Sequence, residues 1–231
     1  MPRKSILGAA GVPTSDPNTL LLVHSDTSSD GSTTFVDSSS YGRTATVGGG
    51  CQHDTAQKKF GASSILMDGS GDYLTFPDSS DWNWTAFTVE CWIRWNSTSG
   101  NQGVLSHHTA NAYSGINWAM QFKGNTRKIE GNISNNGSTG AGFVSSTAFS
   151  AGTWYHLALV ATSSRILFFI NGTAEDDVSA TLASNDVSAP FRIGQHVAGN
   201  FAQHNGWMDE IRYSDIARWD ANFTPPTAAY S

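Results

Sequence analysis

The sequence has 231 residues, a formal net charge of −6, 23 glycines, 14% charged residues and 11% aromatic residues. This length and composition suit one large, turn-rich β domain and exclude a helical or a disordered chain. The acidic balance argues against a surface that follows nucleic-acid phosphates, and no stretch is long and apolar enough to span a bilayer.

Residues 1–18 are small and polar, and they include three prolines. Their composition predicts an extended arm that precedes a single domain formed by residues 19–231. Arg3 and Lys4 are cations in an otherwise acidic chain, and Ile6 is apolar in a segment too short to bury it. These features predict that the arm attaches the protein to a partner, with a frayed terminus that has no role as the alternative. The arm lacks the apolar segment of a Sec signal peptide.

Short extended segments alternate with turns along most of the chain. Between residues 19 and 76, apolar runs are separated by loops rich in glycine, serine and aspartate. Thr88 to Trp95 alternates strictly, which predicts a strand with one face in the core and the other face outward. The predicted core residues are Val89, Cys91, Ile93 and Trp95, and the predicted outward residues are Glu90, Trp92 and Arg94.

Residues 153–172 form the centre of the predicted fold. Trp154 to Ala161 and Ile166 to Ile170 are two dense apolar runs joined by a short polar turn. Runs that are apolar on both faces predict central strands. Asn171-Gly172 then favours a tight turn into the next strand, because both residues tolerate positive φ. With further strands up to Tyr213, about a dozen strands separated by turns predict an all-β, two-sheet antiparallel sandwich.

An ordered set of motifs makes the chain similar to a known superfamily. The motifs are Asp26, Val36-Asp37-Ser38-Ser39, Phe60-Gly61, Leu66 to Leu74, Phe87 to Ile93, Trp154 to Val160, Phe169 to Gly172, Ile193-Gly194 and Gly206 to Arg212. In this order and spacing they resemble the laminin-G-like, concanavalin A-like jelly-roll superfamily over residues 19–230. The stretch Ala217 to Thr227 resembles the stand-alone version found in phage and marine microbial genomes, which is often described as a virion or tail protein. The resemblance implies a concanavalin A-like jelly roll.

The sequence does not carry the catalytic pattern of the glycosidases in this superfamily. Those enzymes place two glutamates and an aspartate on one strand, as Glu-x-Asp-x-x-Glu, because two carboxylates must flank the scissile bond. The chain has four glutamates, and none begins that pattern. Glu90 shares the predicted outward face with Arg94, so an ion pair between them is the simpler interpretation. Neither Cys51 nor Cys91 lies in a nucleophile motif. The sequence therefore predicts a protein without enzymatic activity.

The resemblance also implies one structural calcium ion, because members of the superfamily often hold one between the N-terminal loop and the last strand. Calcium prefers carboxylate and carbonyl oxygens. Asp26 follows the first strand, and Asp209 lies in the closing strand. Asp30 and the backbone carbonyls of residues 38–42 would complete the shell. Local pairing of Asp209 with Arg212, without an ion, is the alternative.

Aromatic side chains are the candidates for carbohydrate binding, which needs flat apolar faces beside polar groups. The chain has eight tryptophans. Trp92 lies on the outward face of its strand, and Trp82 and Trp207 lie at a loop and a strand start. The alternative is that a sandwich uses its aromatic residues in the core and at the rims. Cys51 and Cys91 are far apart in sequence, so buried free thiols are expected, with a disulfide as the alternative.

The leading hypothesis is a non-enzymatic virion surface protein that decorates a capsid or tail, with other virion proteins as the partners of residues 1–18. The alternative is a carbohydrate-binding module for host attachment, whose partners are cell-surface glycans. Neither nucleic acid nor membrane insertion is expected. The first hypothesis predicts a location on the virion surface, the second also fits an extracellular location, and a homo-oligomer fits both.

Overall fold

The computed structural model describes residues 16–110, 112–197 and 202–231. Over these residues the alternating segments form fifteen strands. Two three-residue 3-10 turns, Ser80–Trp82 and Tyr113–Gly115, accompany them. No helix in this part of the chain is long and apolar enough to cross a membrane. In chain order the strands are β1 (Thr19–Val23), β2 (Thr46–Gly48), β3 (Gln52–Asp54), β4 (Ser64–Asp68), β5 (Tyr73–Phe76), β6 (Ala86–Trp95), β7 (Gln102–His108), β8 (Ile116–Lys123), β9 (Lys128–Asn135), β10 (Thr139–Val144), β11 (Trp154–Thr162), β12 (Arg165–Ile170), β13 (Thr173–Ser179), β14 (Phe191–Ile193) and β15 (Asn205–Ser214).

The strands form two antiparallel sheets, which confirms the predicted all-β, two-sheet jelly-roll sandwich. The larger sheet has the order β13-β12-β11-β6-β15-β4-β3, and β1 also pairs with β15. The smaller sheet has the order β10-β9-β8-β7-β14-β5-β2. Strands adjacent in sequence are therefore often separated in space, and β6, β11 and β15 lie side by side in the middle of the larger sheet.

Strand β11 lies inside the larger sheet because both of its faces are apolar. It pairs with β6 along its whole length and with β12 on its other side. The turn between β12 and β13 has positive φ at Asn171 (φ 49°) and Gly172 (φ 76°), as the Asn-Gly pair predicted. A β carbon at Gly172 would also overlap the carbonyl oxygen of Phe223. The turn therefore needs glycine for space as well as for conformation.

The core lies between the two sheets, and it confirms the predicted inward face of β6. Val89, Cys91, Ile93 and Trp95 are all fully buried. The ring of Trp95 lies 4.6 Å from the ring of Phe149, measured between centroids. Strict alternation along β6 therefore predicted its inward-facing residues correctly, because burial of one face selects a single register.

The two cysteines are separate core residues. Both side chains are fully buried, and both thiols are free, so the disulfide alternative is not realised. Burial is the main reason that the pKa of Cys51 and that of Cys91 lie well above the usual thiol range. A thiol that stays protonated is a poor nucleophile, so both residues act as small apolar side chains.

The outward face of β6 is covered, which corrects the prediction that it faces solvent. Glu90 is fully buried, and Trp92 is only 6% exposed. Residues 215–231, called here the C-terminal segment, pack across this face. The expected ion pair between Glu90 and Arg94 is also wrong. Strand β15 lies beside β6 and brings Arg212 opposite Glu90, and Nη2 of Arg212 lies 2.6 Å from Oε1 of Glu90.

Only the last three residues of the predicted arm are among the described residues. The Asp16 carboxylate pairs with Nη2 of Arg218 at 2.6 Å. The backbone N–H of Asp215 donates to the carbonyl of Asn18 at 3.0 Å. These three residues therefore contact the C-terminal segment. The attachment role and the structure predicted for residues 1–15 lie outside the described residues, and the domain boundary at residue 19 stays a prediction.

Candidate functional site

An open pocket of about 530 Å³ lies on the outer face of the larger sheet, and we call it the outer pocket. Strands β6 and β11 supply its floor. The loop before β4 forms one wall, and the C-terminal segment forms the opposite wall. Aromatic and proline rings dominate the surface. The lining residues are Lys59, Phe60, Trp92, Trp154, Asn171, Thr224, Pro225, Pro226 and Thr227.

Trp92 forms the floor of the outer pocket. Its position on β6 alternates with the core residues, so its ring projects from the outer face. Phe60 meets the ring edge-on at a centroid distance of 5.8 Å, and His156 meets it at 5.2 Å. Nζ of Lys59 lies 3.8 Å from the ring centroid, a cation–π distance. These contacts hold the indole in one orientation.

Trp154 is the more accessible tryptophan of the outer pocket. It begins β11 opposite Arg94, and its side chain is half-buried. Asn171 lies beside it at the start of the β12–β13 turn, and its Oδ1 accepts a hydrogen bond from the backbone N–H of His156 at 2.9 Å. The amide NH₂ group of Asn171 remains available to donate to a ligand. Trp154 therefore supplies a ring face beside a hydrogen-bond donor.

Asp209 fixes the wall of the outer pocket that contains Lys59 and Phe60. Its Oδ2 accepts hydrogen bonds from the backbone N–H groups of Lys59 at 2.8 Å and of Phe60 at 3.1 Å. Its Oδ1 accepts from the backbone N–H of Glu210 at 2.9 Å. Burial raises the pKa of Asp209 to about 7, although the three donors act in the opposite direction. The carboxylate thus ties the loop before β4 to the closing strand.

The opposite wall is held where the C-terminal segment crosses β12 and β13. The backbone N–H of Phe223 donates to the carbonyl of Gly172 at 2.8 Å. The ring of Phe223 stacks on Trp219 with a centroid distance of 3.9 Å and an interplanar angle of 4°. This stacked pair packs on the outer apolar residues of β11 and β12. Pro225 and Pro226 follow directly, so their position depends on this contact.

Tyr230 anchors the end of the C-terminal segment. Its side chain is 7% exposed, and its backbone N–H donates to Oε2 of Glu210 at 2.7 Å. The hydroxyl lies 3.0 Å from Nε2 of His156, and the guanidinium of Arg212 lies 4.2 Å from the ring centroid. Glu210 itself has positive φ (51°) and also accepts from Nδ1 of His24 at 2.9 Å. Tyr230 therefore closes a polar cluster behind the outer pocket.

The buried carboxylate in that cluster, on Glu90, is compensated by the guanidinium of Arg212 and by a hydrogen bond with His156. Burial raises the pKa of Glu90, but the hydrogen bond from His156 and the charge of Arg212 outweigh it, so this pKa lies below the usual range. Nε2 of His156 lies 3.1 Å from Oε2 of Glu90. Arg212 thus pairs with Glu90, and not with Asp209 as the ion-free alternative had expected. Glu90 therefore has a structural role, because its side chain is fully buried.

The three aspartates predicted as calcium ligands all accept hydrogen bonds from backbone N–H groups. Oδ1 of Asp26 accepts from the backbone N–H of Ala62 at 2.6 Å, and Oδ1 of Asp30 accepts from that of Thr55 at 2.9 Å. Asp209 faces the outer-pocket wall instead. Across the part of the chain that the structure describes, no group of three or more His, Cys, Asp or Glu residues could hold a metal ion. The calcium ion at Asp26 and Asp209 stays a prediction from the resemblance.

Of the three tryptophans predicted to bind carbohydrate, only Trp92 reaches the outer pocket. Trp82 is fully buried because its 3-10 turn folds the ring into the core, so its ring cannot stack on a ligand and that prediction is wrong. Trp207 is half-buried, and its indole N–H donates to Oδ2 of Asp54 at 2.6 Å. The guanidinium of Arg94 lies 4.9 Å from the Trp207 ring centroid. Trp207 is thus at the surface but already has partners.

Sequence reasoning missed most of the outer-pocket lining. Trp154 could have been recognised from the sequence as a candidate, because it begins a predicted central strand and lies near the predicted Asn-Gly turn. Lys59 and Phe60 had none, because their placement depends on a carboxylate about 150 positions away in the chain. The Pro225-Pro226 pair signals an extended segment but not the surface on which it lies.

Comparison with known families agrees with this architecture. A laminin-G-type model described as the concanavalin A-like lectin/glucanases superfamily matches residues 68–222. The chain belongs to this superfamily. The matched region of the concanavalin A-like domain contains Trp92, Trp154 and Asn171, but it ends before Pro225. A search of curated proteins finds no match.

Solved structures share the fold of this concanavalin A-like domain at low sequence identity. The binding domain of paraclostridial mosquitocidal protein 1 has a TM-score of 0.66 and 14% identity, covering 87% of this chain and 49% of that one. The binding domain of botulinum neurotoxin serotype G has a TM-score of 0.65 and 14% identity, covering 87% and 48%. The receptor binding domain of botulinum neurotoxin D has a TM-score of 0.64 and 14% identity, covering 87% and 50%. The chain spans about half the length of these structures, and the likeness shows the fold alone.

Proposed function

We propose that this protein is a non-enzymatic carbohydrate-recognition domain that attaches to glycans of a cell surface through the outer pocket. The observation that carries the proposal is the pairing of Trp92 and Trp154 with Phe60 around an open space of about 530 Å³. Sugar rings present apolar C–H faces that pack on aromatic rings, while their hydroxyls need nearby polar groups. Asn171 and Lys59 provide such groups at the rim of the same pocket.

The rigidity of the outer pocket supports the proposal. Asp209 holds one wall through two backbone hydrogen bonds, and the Phe223–Gly172 contact holds the other. A preformed site loses little conformational entropy when a ligand binds. The superfamily is consistent with a recognition role, and so are the fold neighbours, which are binding domains.

The absence of enzymatic activity is part of the same proposal. Retaining and inverting glycosidases need two carboxylates facing an open cleft, about 5–9.5 Å apart. Glu90 is fully buried against Arg212 and His156, and Glu210 is buried with His24 and Tyr230. Neither carboxylate faces the outer pocket, which favours binding over hydrolysis.

The experiment is a glycan-array screen of the purified protein, followed by titration calorimetry on the sugars that bind. We expect binding by the wild type and a loss of about tenfold or more in affinity for Trp154→Ala, which corresponds to roughly 1.4 kcal/mol. Trp207→Ala is the matched control, because it removes a half-buried tryptophan outside the outer pocket. Thermal melts of both variants establish that each is folded.

Two outcomes contradict the proposal. Wild-type protein that binds no sugar on the array would remove carbohydrate recognition. Affinity that depends on Trp207 and not on Trp154 would move the site to the position predicted from sequence, at the start of β15.

A place on a virion surface is compatible with glycan recognition, and we keep it as the second proposal. It rests on the resemblance of Ala217 to Thr227 to stand-alone phage-type members and on the arm predicted for residues 1–18. Mass spectrometry of purified particles tests it directly. A variant that begins at Asn18 should fold and yet be lost from particles. Full incorporation of that variant would place the attachment on the sandwich instead.

A further inference from the structure

The amide and charged side chains around the outer pocket supply mainly hydrogen-bond donors, which distinguishes it from a site for neutral sugars. Sugar hydroxyls both donate and accept, so a site for a neutral sugar is expected to include carboxylate or amide oxygens as acceptors. None of the lining residues is an aspartate or a glutamate. The one amide oxygen, on Asn171, already accepts from the backbone of His156. The threonine hydroxyls and backbone carbonyls are the acceptors that remain.

Lys59 places a positive charge directly at this site. Its Nζ lies 3.8 Å from the centroid of Trp92 and 5.6 Å from that of Phe60. Burial lowers the pKa of Lys59, opposed by the nearby charge of Asp209. Asp209 directs its own oxygens to backbone N–H groups, so it does not form a hydrogen-bonded ion pair with the ammonium. Two aromatic faces are therefore the partners of a partly desolvated cation.

The amide NH₂ group of Asn171 adds a second donor at the rim of the outer pocket, because Oδ1 of the same side chain accepts from the backbone N–H of His156. The Lys59 ammonium and this amide NH₂ group both favour a ligand that brings hydrogen-bond acceptors.

We propose that the outer pocket selects anionic sugars, with Lys59 as the residue that recognises the negative charge. This inference rests on the proposed function and names the ligand class of the same site. The sugar ring packs against Trp154, while its carboxylate or sulfate oxygens accept charge-assisted hydrogen bonds from Lys59. The net charge of −6 repels anions at long range, so selection depends on contact with Lys59 and weakens as salt screens it.

The test is a panel in which each acidic glycan has a neutral partner with the same core. 3′-Sialyllactose and 3′-sulfolactose are compared with lactose, and trigalacturonate is compared with its methyl ester. The wild type should bind acidic members about tenfold more tightly than their neutral partners. The sialyl, uronate and sulfate arms separate a carboxylate from a sulfate as the source of the charge.

Variants assign the preference to the outer pocket. Lys59→Gln should reduce the ratio of acidic to neutral affinity from about tenfold to about one, and Lys59→Arg should retain most of that ratio. Lys58→Gln is the matched control, since it removes the same charge one position away, where Nζ reaches only backbone carbonyls outside the pocket. Lys58→Gln should bind like the wild type.

The outcomes separate this inference from the proposed function. Neutral partners bound as tightly as acidic ones, with binding still dependent on Trp154, would overturn anion selection and leave carbohydrate recognition standing. An equal loss in Lys58→Gln and Lys59→Gln would show that overall charge decides the preference, which also overturns it. Absence of binding to every member of the panel and of the array would refute both.

Discussion

The anchoring of the C-terminal segment by Tyr230 predicts a graded response to two substitutions. Tyr230→Phe removes only the hydroxyl near Nε2 of His156, and that nitrogen keeps its contact with Glu90. One hydrogen bond contributes about 0.5–1.5 kcal/mol. Tyr230→Ala also removes the ring that packs against Leu22 and Trp92. Truncation of a buried aromatic side chain costs roughly 3–5 kcal/mol.

The assay is urea unfolding monitored by tryptophan fluorescence, with thermal melts in parallel. For a chain of this size, 1 kcal/mol corresponds to about 2–4 °C in Tm. We therefore expect Tyr230→Phe to melt a few degrees below the wild type and Tyr230→Ala to melt roughly 6 °C or more below it. Amide hydrogen exchange should accelerate in residues 222–230 of Tyr230→Ala, because the wall of the outer pocket loses its anchor.

One result would refute this account of the C-terminal segment. If Tyr230→Ala unfolds at the wild-type urea concentration and its amides exchange at wild-type rates, then Tyr230 does not hold the segment. The C-terminal wall of the outer pocket would then depend on the Phe223–Gly172 contact and on the packing of Trp219 and Phe223.

Three further predictions follow from the core, from the buried histidines and from the calcium prediction. Trp95→Ala should lower the free energy of unfolding by about 3–5 kcal/mol in urea titrations, and an unchanged midpoint would contradict its burial. Burial lowers the pKa of His108 to about 3, so its contribution to stability is present above the unfolded pKa near 6.5 and is lost as the pH falls. Between pH 6 and 5, His108→Gln should therefore show a dependence of stability on pH that differs from the wild type by about 1.4 kcal/mol per pH unit, and parallel curves would refute it. A calcium ion bound at Asp26 and Asp209, present at a hundredfold excess over its Kd, would raise the free energy of unfolding by about 2.7 kcal/mol. A chelator should therefore lower the Tm of the wild type but not that of Asp209→Asn. A wild-type Tm that the chelator leaves unchanged would contradict the calcium prediction.

The local sequence pattern was sufficient to predict which residues face the core. The alternation from Val89 to Trp95 identified a core face because the period of a strand is two, and every inward side chain of that stretch is buried. The Asn171-Gly172 turn was predictable for a similar reason, since the two residues by themselves favour positive φ. Such signals need no knowledge of distant parts of the chain.

The outward half of the fold depends on contacts that no local pattern contains. Glu90 was paired with Arg94 from sequence because they share a face of one strand, but the register of β15 brings Arg212 closer. The sequence predicted that Trp82 lies in a loop, but the 3-10 turn Ser80–Trp82 places its ring in the core. The C-terminal segment has no strand periodicity, so its position over β6 and β11 could not be inferred. The errors at Glu90 and in the C-terminal segment therefore concern partners that are remote in sequence.

The same remote contacts explain why a ligand pocket exists on this face. Strands β11 and β12 are apolar on both sides, so the larger sheet needs a cover on its outer face as well as the smaller sheet on its inner face. Trp219 and Phe223 provide that cover over β11 and β12, and Tyr230 provides it beside Trp92. Between these two points the segment passes through Thr224 to Thr227 without filling the space above Trp92 and Trp154. The outer pocket is therefore the gap in a cover that the sheet otherwise requires, which is why its floor is aromatic and its walls are fixed.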